Sequence, residues 1–535
     1  MMIRTQLTVL LGLALILPLY AHRPVAGHPD AAHPWTLPRI EGTFQDRGYD
    51  YLDQSIVSPA GTFRIHYTLD GSDAPTYATG TVVPEYISAV ALAADHSLNM
   101  MTNVLGFLPP VEDDGIDGDE LDIYVQNWGG SYYGVTYFGN QAGGPSYLVI
   151  DNDYQEASYT THGYQAMQVT VAHEIFHMVQ VRYAHPSPVD KRAFIFEIAS
   201  VWMEEFCYPG INDYINYVYP NFQRNTLPAL NALPFGTYAY GHGIFGQVLD
   251  AEYGTRQDKH IWLDIWETLG EREVANAAER VDPVLVLQDV LASSRWNSSL
   301  GDALVHYGLY NALTGSRATT EKGYADAAIL PEVSIHDMPS ITTTDPVPFE
   351  FMVDPLQIKT ARISTQLFGD YYLTALPDAD PDMQAQSAWI RYGNGIEILG
   401  QVRPDLWLPL GGMTSLDGIV VPIANGSATE TGELTLQVQG SLVDLPTAIQ
   451  RVFPNPLSQS ETHPLSVDFI QAQAGITLLR LYDIRGREIL RERAFYAEGL
   501  HLIQPVLPDH LPAGLYIITI RTGGKLISEK ILILP

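Results

Sequence analysis

Apolar residues along this chain follow one spacing in its first part and another in the rest. Thr62 to Leu69 (TFRIHYTL) alternates as a strand does, and Tyr86 to Leu105 carries apolar residues at helical spacing. Leu121 to Val125 and Ser146 to Asp151 (SYLVID) read as strands. From Ala166 to about Thr314 the helical period dominates. One helix holds HEIFH, one runs from about Arg192 to Phe206, and others include Ile244 to Tyr253 and His260 to Leu269. Strands followed by helices predict an α+β domain. Near Ile341 the pattern shifts to short alternating runs, such as Leu434 to Val438, set between Gly, Pro and Asp turns. That is the signature of an all-β sandwich. After a boundary near Pro446 come further strands at Ile476 to Leu481, Leu515 to Ile520 and Ile527 to Leu534. No repeat of solenoid period is present.

The expected architecture is therefore multidomain: an α+β domain over 28–335, a β-sandwich over 336–445 and a C-terminal β domain over 446–535. Residues 1–27 read as a signal peptide. Arg4 precedes an apolar run from Leu7 to Leu19, and small residues follow at Ala21 and Ala26-Gly27. Such a run is shorter than the roughly 20 residues needed to cross a bilayer, so no transmembrane anchor is expected. A Pro- and His-rich leader follows, from His22 to Pro38.

A chain of 535 residues with 46% hydrophobic and 17% charged residues has the balance of a globular protein. Its 61 Asp and Glu against 29 Lys and Arg give a formal charge of −32, with no basic block. Nucleic acid and anionic membranes are poor partners for such a surface. The single cysteine, Cys207, has no second thiol in the chain and reads as a buried, inert group.

The chemistry concentrates in Val171-Ala172-His173-Glu174-Ile175-Phe176-His177. On a helix, His173 and His177 share a face, so both imidazoles can reach one ion, and Glu174 can take a proton from water activated there. A catalytic zinc usually has three protein ligands, so a third is needed. The HExxHxxGxxH class is excluded, because Gln180 and Tyr183 occupy its glycine and last histidine positions; His185 comes two residues late. The other class takes a glutamate from a following helix. Glu197 lies 20 residues beyond His177, an acid in the apolar stretch Phe194-Ile195-Phe196-Glu197-Ile198-Ala199-Ser200-Val201-Trp202-Met203-Glu204-Glu205. Solvated or core-satisfied histidines are the bland alternative.

This spacing resembles that of the thermolysin-like gluzincins. More closely, HEIFHMVQ, FEIASVWMEE and YAYGHGIFGQVL resemble a family of secreted bacterial zinc metalloproteases, over about Ser58 to Ala318. The resemblance implies a zincin-like catalytic domain, Zn²⁺ held by His173, His177 and Glu197, Glu174 as base, and a protein or peptide substrate. It also implies a substrate-pairing edge strand ahead of the HExxH helix, and Ser146 to Ile150 holds that place. The chain departs from the pattern at Val201, where thermolysin-like enzymes carry an aspartate that orients a ligand histidine. Glu204 or Glu205 is the candidate replacement, with a surface acid as the alternative. Tyr240 and His242, in Tyr238-Ala239-Tyr240-Gly241-His242-Gly243, are candidate donors to the oxyanion, their flanking glycines permitting close backbone approach. A loop with packed aromatics is the competing reading.

Two further features are set apart from this site. Asp113-Asp114-Gly115-Ile116-Asp117-Gly118-Asp119 offers carboxylates around glycine turns that structural Ca²⁺ would take, although a solvated turn is the commoner use of such a loop. Val452-Phe453-Pro454-Asn455-Pro456, Leu481-Tyr482-Asp483-Ile484-Arg485-Gly486-Arg487-Glu488 and Pro512-Ala513-Gly514-Leu515-Tyr516 resemble the C-terminal sorting domain of type IX secretion substrates. That resemblance implies secretion machinery as a partner and a secreted or cell-surface location. An immunoglobulin-like spacer is the alternative. A surface adhesin with a peptidase-like domain is the rival to an enzyme, and a hydrolase of another amide bond is a third reading.

Overall fold

In the computed structural model, residues 20–24 and 48–534 are described, apart from 77–82, 113–114, 140–141, 186–191, 223–225, 233–237, 276–279, 321, 366–368, 377–379, 392–394, 405–407, 414–417, 443–447, 454, 459–464, 472–473, 497–498 and 509–510. Most of the signal-peptide stretch and of the leader lies outside the described residues. The chain forms two compact units, one from Met1–Val218 with Asn231–Val290, the other from Tyr219–Leu230 with Leu291–Pro535.

The first unit is built on a mixed sheet. Its strands are β1 (Tyr20–Pro24), β2 (Gln54–Val57), β3 (Phe63–Tyr67), β4 (Leu121–Gln126), β5 (Tyr132–Phe138) and β6 (Ser146–Asp151), in the order β1-β5-β6-β4-β3-β2. β3, β4 and β6 run parallel, while β5 is antiparallel to β6. Central strands of a mixed sheet are covered on both faces, so they read as continuous apolar runs, and every residue of β6 is buried. This places β6 inside the sheet, between β4 and β5. The expectation that Ser146 to Ile150 forms an edge is therefore corrected: order along the chain does not give order across the sheet.

Three helices position the site. α1 (Glu85–Asn99) packs on β3, and α2 (Gly163–Gln180) packs on β5 and β6 and against α1. α3 (Ala193–Cys207) packs on α2. From Val169 to Gln180, α2 is buried on every side, which explains why HEIFH sits in an unbroken apolar run rather than an amphipathic one.

The second unit holds two β-sandwiches. In the first, a sheet containing Ile358–Ser364, Met383–Arg391, Gly395–Val402 and Gly418–Asn425 faces a sheet of Val347–Val353, Gly369–Ala375, Leu408–Met413 and Gly432–Leu442. Ile363, Ile419 and Ile423 from one sheet share a core with Phe349, Leu373 and Leu436 from the other. The helix Leu300–Ala312 packs on the first of these sheets. Gly308 allows the approach: a Cβ there would stand 2.7 Å from Ile358 Cγ2 and 2.8 Å from Pro422 Cβ. Sequence spacing assigns that helix to the α+β domain, but its packing puts it with the β unit, because helical period says nothing about which sheet a helix covers. In the second sandwich, a three-stranded sheet including Ser466–Gln471 closes over a five-stranded one including Gly475–Asp483 and Gly514–Thr522, around Phe469, Leu481 and Ile518. Among the described residues, no helix is long and apolar enough to cross a membrane.

Leu436 is fully buried between two sheets of the second unit, far in sequence from the HExxH helix. Leu436→Ala is expected to cost about 2–5 kcal/mol of stability, read by denaturant unfolding, while leaving metal affinity unchanged.

Candidate metal centre

His173 and His177 project from α2 four residues apart, and Glu197 comes from α3. All three are buried. His173 Nε2 and His177 Nε2 are 3.0 Å apart, and Glu197 Oε2 stands 3.3 Å from the first and 3.5 Å from the second. A tetrahedral zinc with ligand bonds of about 2.0–2.1 Å sets its donor atoms roughly 3.3 Å apart, so the triangle fits that ion.

The far side of each imidazole is held as well. His173 Nδ1 is 2.7 Å from Glu204 Oε1. His177 Nδ1 is 2.8 Å from Gln180 Oε1, whose amide is oriented by donating its own N–H to Phe196 O at 2.9 Å and Ser200 Oγ at 3.2 Å. A carboxylate and an amide oxygen only accept, so both Nδ1 atoms carry hydrogen. In the neutral rings each Nε2 is then a bare lone pair. Two lone pairs and a carboxylate oxygen converge in a buried space. Such a group repels itself unless a cation fills it.

Without metal, a proton takes that role. Burial works to lower the His173 imidazole, but its bonds to Glu197 and Glu204 outweigh burial and raise it to about 9. Burial works to raise Glu197, but the charge of His177 and hydrogen bonds from both imidazoles bring it down to about 2. A metal ion would displace the proton on His173 and keep Glu197 ionised.

Glu174 points toward β5. Thr136 Oγ1 lies 2.7 Å from its Oε2, while Oε1 is buried without a hydrogen-bond partner. Desolvation raises the Glu174 pKa, and the charges of His173 and His177 and the Thr136 bond partly offset this. Gly134 makes room for the carboxylate: a Cβ there would lie 2.7 Å from Thr170 Cγ2 and 3.0 Å from Glu174 Cγ.

Tyr240, in the short helix Tyr238–Gly241, stacks on His173 with ring centres 5.8 Å apart. Burial, then the charges of Glu197 and Glu174, hold its hydroxyl protonated far above the usual range. The structure thus brings Tyr240 to the ligand group. His242 is buried at the start of the helix Gly243–Tyr253, and burial lowers it to about 3, so its ring is neutral. Gly243, beside His242, and Gly246, one turn on, allow a close helix contact. A Cβ on Gly243 would collide with Val201, and one on Gly246 would come within 2.6 Å of Trp202 Cβ. Val201 is used for this close helix contact, and Glu204, one turn on, takes up His173.

His185 is not part of the group, its Nε2 lying 2.8 Å from Gly139 O. Burial pushes the Cys207 thiol up to about 12, which keeps it protonated at neutral pH. In the acidic loop, Asp113 and Asp114 lie outside the described residues, and Asp117 accepts from the Tyr124 hydroxyl at 2.5 Å. Among the described residues, the other grouping of possible ligands is Asp151, Asp153 and Glu156. Both Asp151 carboxylate oxygens accept backbone N–H groups, from Asp153, Tyr154 and Trp128, so Asp151 organises the turn after β6.

No protein-family model matches this sequence, and no curated protein does. Among solved structures, the chain is similar to a β-glucuronidase of Ruminococcus gnavus at 11% identity, covering 33% of this chain and 35% of that one with a TM-score of 0.12. A β-glucuronidase of Parabacteroides merdae matches at 11% identity over 31% of this chain and 28% of that one, with a TM-score of 0.14. The chain spans about a third of the length of these enzymes. Likeness at that level carries no argument about this protein.

Thr136, Gln180 and Ser200 were not singled out by sequence reasoning. Gln180 offered a signal, since it stands three residues after His177 and so on the same helical face. Thr136 offered none, because it comes from another part of the chain. Glu204→Gln, and separately Gln180→Leu, are expected to weaken zinc binding about 10–100-fold in competition with a chromophoric chelator, while Glu205→Gln leaves it unchanged.

Proposed function

We propose that this chain is a secreted zinc metalloendopeptidase. The observation that carries the reading is the convergence of His173 Nε2, His177 Nε2 and Glu197 Oε2 with both Nδ1 atoms committed elsewhere. This donor set of two imidazole nitrogens and one carboxylate leaves a coordination position open, as hydrolytic zinc sites do. When bound, zinc supplies Lewis-acid polarisation of a carbonyl and acidifies water.

The chain's own residues supply the proton handling. Glu174 Oε1, buried and without a hydrogen-bond partner, is the atom that receives a proton from water; Thr136 fixes the other oxygen and so aims the first. Burial raises the proton affinity of Glu174, which suits a base that must later pass its proton to the leaving amine. The Tyr240 hydroxyl keeps its proton at neutral pH and can donate to an oxyanion beside the ligands. Export through the N-terminal segment and sorting through the C-terminal β domain complete the proposal, with secretion machinery as the second partner.

The purified protein is expected to bind one zinc per chain and to cleave a peptide library in a chelator-sensitive way. Glu174→Gln should keep the metal and lose at least about a hundredfold in turnover. A Glu174→Gln protein as active as the parent would sink the mechanism, and full zinc occupancy without peptide cleavage would point to a binding protein instead.

The base must be ionised to act, so activity should fall as pH drops through the Glu174 pKa. The Thr136 bond lowers that pKa. Thr136→Val should therefore raise it and move the acidic limb of the pH–rate profile to higher pH; an unmoved limb would remove Thr136 from the mechanism.

A further inference from the structure

Tyr240 stands on an element too short to fix it. Its helix, Tyr238–Gly241, has four residues, and a single turn does not hold its own conformation. An oxyanion donor acts only where its hydroxyl is held in place before charge develops. In this structure the Tyr240 ring lies beside that of His173, and its hydroxyl shares a hydrogen bond with the Glu197 carboxylate. That bond cannot hold the side chain through a reaction, because a hydroxyl that donates to an oxyanion has to leave Glu197. A contact with the ring can, since packing between aromatic faces does not depend on where the hydroxyl proton points.

Tyr217 makes such a contact. Its ring centre lies 5.5 Å from that of Tyr240, with the planes tilted by 35°, and both residues are buried. Tyr217 belongs to α4 (Ile215–Phe222). The chain leaves the first unit after Val218 and returns to it at Asn231. In between, β7 (Thr226–Leu227) joins a sheet of the first sandwich in antiparallel register, with Leu227 opposite Ile358 and Thr226 opposite Lys359. The Leu230 N–H donates to Leu356 O at 3.0 Å, and Leu227 and Leu230 are buried. α4 ends at Phe222 and β7 begins at Thr226, so a short span of chain ties the one to the other. Tyr217 and Tyr240 thus stand on either side of this excursion and meet across it.

We propose that Tyr217 is a positioning residue that holds the Tyr240 ring while its hydroxyl turns from Glu197 to the oxyanion, and that β7 keeps α4, and with it Tyr217, in place. This rests on the metallopeptidase reading. It gives the first sandwich a part in turnover through the continuity of the chain, without contributing a group to the site.

The test is a double-mutant cycle in the full chain with zinc bound, on a fluorogenic peptide that the parent cleaves. Tyr240→Phe should lower kcat about 100-fold or more. Tyr217→Ala should lower it about 10–100-fold with KM within about twofold of the parent, and Tyr217→Phe, which keeps the ring, should restore it. The double variant Tyr217→Ala, Tyr240→Phe should be no slower than Tyr240→Phe alone, because a ring without a hydroxyl has nothing to aim. Losses that multiply overturn the proposal, as does parent kcat in Tyr217→Ala. Amide hydrogen exchange in the metal-free protein gives a reading that needs neither zinc nor turnover. Residues 238–241 should exchange faster in Tyr217→Ala than in the parent and in Tyr217→Phe, while residues 169–180 are unchanged; unchanged exchange at 238–241 overturns the proposal. If Tyr217→Ala does not fold, Tyr217→Leu, which keeps bulk and loses the flat face, takes its place with the same expectations. Inserting Gly-Ser-Gly-Ser after Phe222 slackens the tie to β7 and should reproduce both effects; parent kcat and exchange in that protein overturn the part given to β7. A parent that cleaves no peptide would overturn the metallopeptidase reading and this inference with it, whereas hydrolysis with multiplying losses would overturn this inference alone.

Discussion

The mutual repulsion of three buried electron pairs organises the first unit. Two imidazole nitrogens and a carboxylate oxygen, all from buried residues, face one another within 3.0–3.5 Å. Desolvated groups of this kind persist only where a cation stands among them. Much of the surrounding structure serves to keep them facing inward. Glu204 and Gln180 prevent either ring from turning its protonated nitrogen toward the centre, and Phe196 O and Ser200 keep Gln180 from flipping.

That arrangement explains the odd character of α2 and α3. A helix carrying two histidines and a glutamate in an otherwise apolar run looks inconsistent as a surface element and costly as a core one. Both helices are interior where these groups stand, and His173, His177, Gln180, Ser200 and Glu204 bond to one another while Glu174 bonds to Thr136. The glycines at 243 and 246 let the following helix sit directly on Val201 and Trp202. Val201 is held in that contact, and Glu204, one turn further along α3, holds His173 Nδ1.

Glu174 belongs to this arrangement through a different contact. Its two oxygens are made unequal by Thr136, and it stands beside β5, whose far edge pairs antiparallel with residues 20–24. The two β-sandwiches of the second unit have their own cores and take no part in the ligand group.

Local periodicity and spacing determined the helices around the site and several of the strands, because 3.6- and 2-residue periods are written in neighbouring residues. They also delivered His173, Glu174 and His177, which one helix brings together, and Glu197, marked by its isolation in an apolar stretch. Only the tertiary structure decided the rest. β5 carries a glycine in its middle and was not legible as a strand. Thr136 meets Glu174 across 38 residues, and Glu204 meets His173 across 31. Whether β6 lies inside the sheet or at its edge, and which unit the helix Leu300–Ala312 joins, depend on pairing between segments far apart in the chain. Such pairings are settled by which buried surfaces fit, and no local pattern encodes that.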